Sequence, residues 1–209
     1  MNPEAKIIIM LRNPVEMLYA YHSQLLFGVC EDIEDFEQAL EAEPDRRRGE
    51  RMPPYCMIKE SLYYSDVAKY AEQVQRYLET FGREQVLVIL FDDFKADARR
   101  VFRRTLEFLG VDPDFEASVE VINPNTTRRS ARLQAFAWQP PRVVDALLRT
   151  LPDSLRIAFL KGIIRINTKV VPREKLSPVL REQLCVRLTP EVEGLGKLLG
   201  RDLWRWLKP

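Results

Sequence analysis

Cysteine is scarce in this chain. Cys30, Cys56 and Cys185 are its only three, odd in number and far apart in sequence. No C-x-x-C pair occurs, so neither a disulfide framework nor a zinc ligand set is indicated, and three free thiols in a reducing compartment are expected. One histidine, His22, cannot by itself support a Ser–His–Asp arrangement. Eight glycines and fourteen prolines in 209 residues are too few for a collagen-like or low-complexity chain. No apolar run approaches the ~20 residues that span a bilayer. The nearest, Ile157 to Ile166, is broken by Lys161 and Arg165. The start Met1-Asn2-Pro3-Glu4-Ala5-Lys6 lacks a basic region followed by an apolar stretch, so a cytoplasmic protein without a transmembrane segment is expected. Charge of one sign is also missing: 32 basic and 31 acidic side chains leave a formal +1. That balance disfavours a general nucleic-acid binder and a disordered charged tail.

What is present is patterned. Lys6-Ile7-Ile8-Ile9-Met10-Leu11 is a continuous, β-branched apolar run, as in a parallel strand covered on both faces. Arg12-Asn13-Pro14 ends it. Asn13 suits an N-cap and Pro14 the first helical position, so a helix is predicted through about Phe27, with Gly28 just beyond. A short acidic helix is expected over Ile33 to Glu41, and an arginine-rich loop over Asp45 to Arg51. Val67, Tyr70, Val74, Tyr77 and Leu78 fall at helical spacing within Ser65 to Thr80. Val86 to Phe91 is a second buried-type strand, and Asp97 caps a helix that Gly110 closes. Two strands are few for a parallel sheet. Asn123 to Ser130 is a polar loop. Helices are predicted over Val143 to Arg149, Leu155 to Arg165, Ser177 to Arg187 and Pro190 to Leu199, the last capped by Thr189.

Arg12 lies where ligands sit in open α/β sheets, beyond the carboxyl end of a strand. The first amides of the next helix are expected to be free and to point the same way, which together with a guanidinium makes an anion site. A pairing of Arg12 with Asp92 or Asp93 stays open as the alternative. His22 sits on that helix; a packed, hydrogen-bonded role is preferred to proton transfer. Arg46-Arg47-Arg48 is taken as a salt-bridged surface loop near Glu41, Glu43 and Asp45, although it could face an anionic acceptor. Arg99, Arg100, Arg103 and Arg104 form a solvated helix face paired with Asp97 and Glu107. Tyr63 and Tyr64 could line a pocket, with packing as the default. Leu155 to Ile166 is basic and amphipathic; docking onto the sheet or a partner is preferred to a membrane surface.

The segment Lys6 to Glu16 resembles the 3′-phosphate-binding segment of sulfotransferases that use 3′-phosphoadenosine 5′-phosphosulfate (PAPS). The likeness continues through Tyr64-Ser65-Asp66-Val67, Tyr70, Phe81-Gly82, Val86 to Phe91, Asp92-Asp93-Phe94 and Phe108-Leu109-Gly110-Val111. It returns in Leu198 to Trp206, leaving a divergent stretch between about Gln139 and Pro172. The resemblance implies an α/β fold: a P-loop-kinase-like three-layer parallel sheet flanked by helices. Here that fold would lack its first strand and phosphosulfate loop and carry a helical C-terminal part. One domain over residues 1–209 is expected, with an α/β portion over 1–137 and a helical portion over 138–209.

The same resemblance implies sulfuryl transfer from PAPS to a hydroxyl or amine of a small-molecule or carbohydrate acceptor, with no metal. It places Arg12 on the nucleotide's 3′-phosphate, with Arg128, Arg129 and Ser130 of a late loop approaching it. Ala20 stands where the family offers a serine, and Ser23, one helical turn on, is the nearest substitute. No lysine- and glycine-bearing phosphosulfate loop precedes Lys6, and the family's usual base belongs to that part, so no catalytic residue is named. The expectation is a truncated domain. The alternative is a non-catalytic, sulfotransferase-like fragment that binds the nucleotide weakly or serves only as an interaction surface.

Overall fold

The computed structural model describes residues 4–115, 126–172 and 174–208. The chain divides into two compact units that interleave along the sequence. One comprises Met1–Leu18, Ser65–Ile122 and Ser177–Pro209, the other Tyr19–Tyr64 and Asn123–Leu176.

In the first unit, β1 (Ile7–Leu11) and β2 (Val86–Leu90) pair in parallel, with Ile7 opposite Val86 and Leu11 opposite Leu90. A parallel pair needs a long crossover, which is why the two apolar runs stand far apart in the chain. The runs differ in cover. Val86, Leu87, Ile89 and Leu90 are buried, whereas Ile8 and Met10 are 42% and 50% exposed. The expectation that both runs are covered on two faces therefore holds for β2 and fails for β1. Among the described residues this sheet has two strands, and no three-layer sheet is seen.

Helix α1 (Pro14–Phe27) has the predicted bounds and runs from the first unit into the second. In the second unit, α2 (Phe36–Glu41) begins later than expected because the Asp35 carboxylate caps it, accepting from the Gln38 amide. α3 (Glu43–Arg47) takes the first residues of the expected arginine loop, with Pro44 in its first turn, and the chain is non-helical from Arg48 to Arg51. Back in the first unit, α4 (Tyr64–Val67) and α5 (Tyr70–Phe81) split the single helix predicted over Ser65 to Thr80.

Beyond β2, α6 (Phe91–Ala96) begins at the residue expected to end the strand, and α7 (Ala98–Leu109) is capped by Asp97 and closed by Gly110 at φ 77°. That left-handed angle suits a residue without a Cβ. Residues 116–125 lie outside the described residues, so the polar loop expected from Asn123 is seen only from Thr126. There β3 (Thr126–Arg128), α8 (Ala131–Trp138), α9 (Arg142–Leu148), α10 (Asp153–Asn167) and β4 (Thr168–Val170) follow, with β3 antiparallel to β4.

α11 (Pro178–Leu199) then runs unbroken where two helices were expected. Pro190 lies inside it. The Thr189 hydroxyl donates to the Cys185 carbonyl, 2.8 Å away, rather than capping a new helix. Proline removes one helix hydrogen bond and crowds the carbonyl four residues back, and the buried face Leu184, Leu188, Val192 and Leu195 carries the helix across it. α11 packs on α5 around Leu11, Val74, Leu90, Leu195 and Trp206. Each fully buried aliphatic there contributes roughly 1.5–3 kcal/mol. No helix among the described residues is long and apolar enough to cross a membrane.

Candidate functional site

In the first unit Arg12 stands at the carboxyl end of β1. Its side chain is 37% exposed, and its guanidinium lies over the Phe91 ring, 5.6 Å from the centroid. One turn along α1, Glu16 pairs with it at 3.5 Å. Glu16 is shared, because Arg181 also donates to it. The open alternative for Arg12 is not realised. Asp92 accepts from Trp206 Nε1 at 2.6 Å and pairs with Lys95 at 2.8 Å. Asp93 takes two nitrogens of Arg201, at 3.1 and 3.0 Å. Burial would raise the Asp92 carboxyl, but Lys95, Trp206 and the nearby Arg12 charge together hold it below the usual carboxylate range. A cavity of about 610 Å³ lies beside Arg12, lined by β1, Met17, Tyr70, Val74 and Tyr77.

The amide half of the expected anion site is different. Asn13 Oδ1 accepts from the amides of Val15 (2.9 Å) and Glu16 (3.4 Å), while its Nδ2 donates to the Trp206 carbonyl at 3.1 Å. A good cap residue satisfies the donors that an anion would otherwise meet. At this helix start the charge of Arg12 therefore stands without free amides beside it.

The second unit holds a polar cavity of about 510 Å³ lined by Tyr19, His22, Ser23, Thr126 to Arg129 and Lys169, with Glu34 and Glu174 among its walls. Arg129 is exposed, and its backbone amide donates to the Asn167 carbonyl at 2.7 Å. Among the described residues no acceptor meets its guanidinium. Arg128 is committed: it donates to the Leu26 carbonyl and pairs with Glu34 at 3.6 Å, with 11% of its side chain exposed. A cation on the last carbonyls of α1 complements the helix dipole. The Ser23 hydroxyl donates back to the Tyr19 carbonyl at 3.1 Å. Ser130 caps α8, its Oγ accepting from the Leu133 amide at 3.3 Å.

Behind this cavity the unit is held by buried polar groups. Arg46 and Glu31 form a bidentate pair at 2.7 and 2.6 Å, both fully enclosed, and Tyr64 donates to Glu31 at 2.8 Å. Burial alone would raise the Glu31 carboxyl. Arg46, the Ile33 amide and the Tyr64 hydroxyl outweigh it and hold the group below its ordinary value. Arg46 thus leaves the surface expected of it, while Arg47 and Arg48 stay there, pairing with Glu43 and Asp45. His22 is 2% exposed, its Nε2 2.9 Å from the Ile33 carbonyl, and burial lowers its pKa; the packed role is the observed one. Asn167 links the amide and carbonyl of Ser130 to Gln134 at 2.8–2.9 Å, and Gln134 in turn donates to the Phe27 carbonyl. Spacing along the chain carried no signal for Lys169 or Asn167, because β3 meets β4 only in three dimensions.

The "Sulfotransferase domain" family model matches residues 1–134. Carbohydrate sulfotransferase 15 of Mus musculus is 29% identical over 177 residues, covering 75% of this chain and 30% of that protein. Its Rattus norvegicus counterpart is 25% identical over the same shares. A crystal structure of a sulfotransferase from Alicyclobacillus acidocaldarius superposes with a TM-score of 0.62 at 30% identity, covering 99% of this chain and 59% of that one. The chain belongs to the sulfotransferase domain family, with an α/β fold rich in helix. It spans about 30% of the length of these curated relatives.

Proposed function

We propose that this protein transfers a sulfuryl group from PAPS to a hydroxyl or amine of a small-molecule or carbohydrate acceptor. Family membership supports the reaction class, and the carbohydrate sulfotransferases among its relatives support the acceptor class. The observation that carries the nucleotide assignment is Arg12. It is half-exposed, its carboxylate partner is divided between two arginines, and a cavity adjoins it. A guanidinium in that state exchanges a shared carboxylate for a phosphate that accepts two parallel hydrogen bonds. Arg129, with no acceptor among the described residues, and Lys169 line the polar cavity of the other unit and are offered as further anion-binding cations. Arg128, Ser130 and Ser23 enter the proposal as supports, since each already serves α1 or α8.

PAPS, when bound, would supply the activated sulfuryl group for transfer to the acceptor. The residues of this chain fit its 3′-phosphate end. Among the described residues no glycine- and lysine-bearing loop cradles the 5′ end, so no catalytic residue is assigned. The three-layer, P-loop-like sheet and a cytoplasmic site of action belong to the same proposal, which needs neither a metal nor nucleic acid.

Calorimetry with adenosine 3′,5′-bisphosphate tests the assignment. Arg12→Ala is expected to weaken binding at least tenfold, about 1.4 kcal/mol, and unchanged affinity overturns it. Nucleotide binding without sulfate transfer to any acceptor favours the non-catalytic alternative.

A further inference from the structure

α10 in the second unit carries apolar side chains on two sides. Its inner side packs on α8, with Asn167 buried and Leu160, Ile163 and Ile164 half-buried. On the outer side Leu155, Phe159 and Ile166 are 58%, 50% and 74% exposed. Their spacing, four residues and then seven, sets all three on one face of a helix with 3.6 residues per turn. Gly162 falls between them on that face, and a Cβ built on it would meet nothing within 4 Å. The stripe is therefore open along about three turns. An exposed apolar stripe of this kind marks a surface that meets something other than water.

Charge says what it meets. Residues 139–172 hold six basic and two acidic side chains, in a chain whose total is +1. Both acids are matched locally, Asp145 with Arg149 at 2.9 Å and Asp153 with Arg156 at 3.0 Å. Lys161 and Arg165, one turn apart, run along the border of the apolar stripe, and both are exposed. Among the described residues no carboxylate pairs with either. Ile157 is exposed too, on the far side of these two cations. Neither the stripe nor its cations line the cavities beside Arg12 and Arg129, so the nucleotide assignment makes no use of them.

We propose that the outer face of α10 docks on an anionic lipid bilayer. The helix lies in the plane of the headgroups, with Leu155, Phe159 and Ile166 at the acyl boundary and Lys161 and Arg165 on lipid phosphates. Such docking is attachment to one leaflet, in keeping with the want of any described helix long and apolar enough to cross a membrane. Three large apolar side chains and two cations make a reversible anchor rather than a permanent one.

The test sediments the full chain with vesicles of phosphatidylcholine, alone or mixed in equal parts with phosphatidylglycerol. Partition into the mixed vesicles and release by added salt are expected. Lys161→Gln with Arg165→Gln should weaken it about fivefold for each charge removed, and Phe159→Ser with Ile166→Ser at least about tenfold. Gly162→Leu should strengthen it, because a fluid bilayer takes up an added side chain that a close-fitting protein partner would reject. Phe159→Trp should gain fluorescence that lipid brominated on its acyl chains quenches. No partition, equal partition into neutral vesicles, or partition that the Phe159→Ser, Ile166→Ser variant retains overturns the proposal. Sedimentation velocity without lipid checks the rival occupant, a second copy of the chain: a dimer abolished by that variant overturns the proposal, and a monomer supports it. No arm uses the nucleotide, so failure here and failure of the sulfuryl-transfer reading are separate results.

Discussion

The two units solve the problem of the interior in opposite ways. Every buried polar or charged residue among those described (His22, Glu31, Glu43, Arg46, Gln134 and Asn167) lies in the second unit. The first encloses Leu11, Val74, Leu90, Val192, Leu195 and Trp206 around its parallel strands and keeps its ion pairs outside. Apolar burial is non-directional and tolerates pH. A buried guanidinium–carboxylate pair is directional, and it is costly once one partner goes. The same protein should therefore respond to different insults in different places.

The sharpest way to break this contrast is Arg46→Met. It leaves Glu31 enclosed and unpaired, and should destabilise the second unit by about 3–5 kcal/mol. Denaturant unfolding followed by hydrogen exchange in the two units would measure it. Adding Glu31→Gln to that variant should recover much of the loss. A single-variant cost under about 1 kcal/mol would mean the pair is not what holds the unit. A smaller effect, about 1–3 kcal/mol, is expected for Asn167→Ala, which strands the Ser130 amide and the Gln134 side chain.

The mildest perturbation is acid. Glu31 and His22 both have lowered folded-state pKa values. Stability from His22 is complete above its unfolded pKa of about 6.5 and is lost as pH falls through its lower folded value. Stability from Glu31 is complete above the ordinary glutamate pKa of about 4.3 and is lost in the same sense below it. Amide protection should fade first in the second unit as pH drops from neutrality. Simultaneous loss in both units would erase the distinction.

That division also explains what was legible in the sequence. The first unit was readable in its local signals: the β-branched run, Asn13-Pro14, Asp97 and Gly110 each act within a few residues and appear where expected, whereas the break between α4 and α5 and the continuity of α11 across Pro190 are set by packing. Family resemblance rested on the same segments. The second unit was much less so. Nothing local tells that Arg46 is enclosed while Arg47 and Arg48 are not, since the choice is made by Glu31 and Tyr64. The strands β3 and β4 are three residues each and owe their existence to each other. Asn13 shows the converse case. It was identified as a cap, yet its capping consumes the very amides expected to receive an anion. The candidate site was thus visible as charge, in Arg12 and Arg129, but not as hydrogen-bond capacity.

One border of the first unit carries a consequence for handling. β1 is paired on one side only among the described residues, and Ile8 and Met10 stand bare on its face. Unmatched backbone donors and acceptors beside aliphatic side chains are a template on which a second chain can add. At high concentration association along this edge is the expected hazard, and charged substitutions at Ile8 or Met10 should reduce it in light scattering.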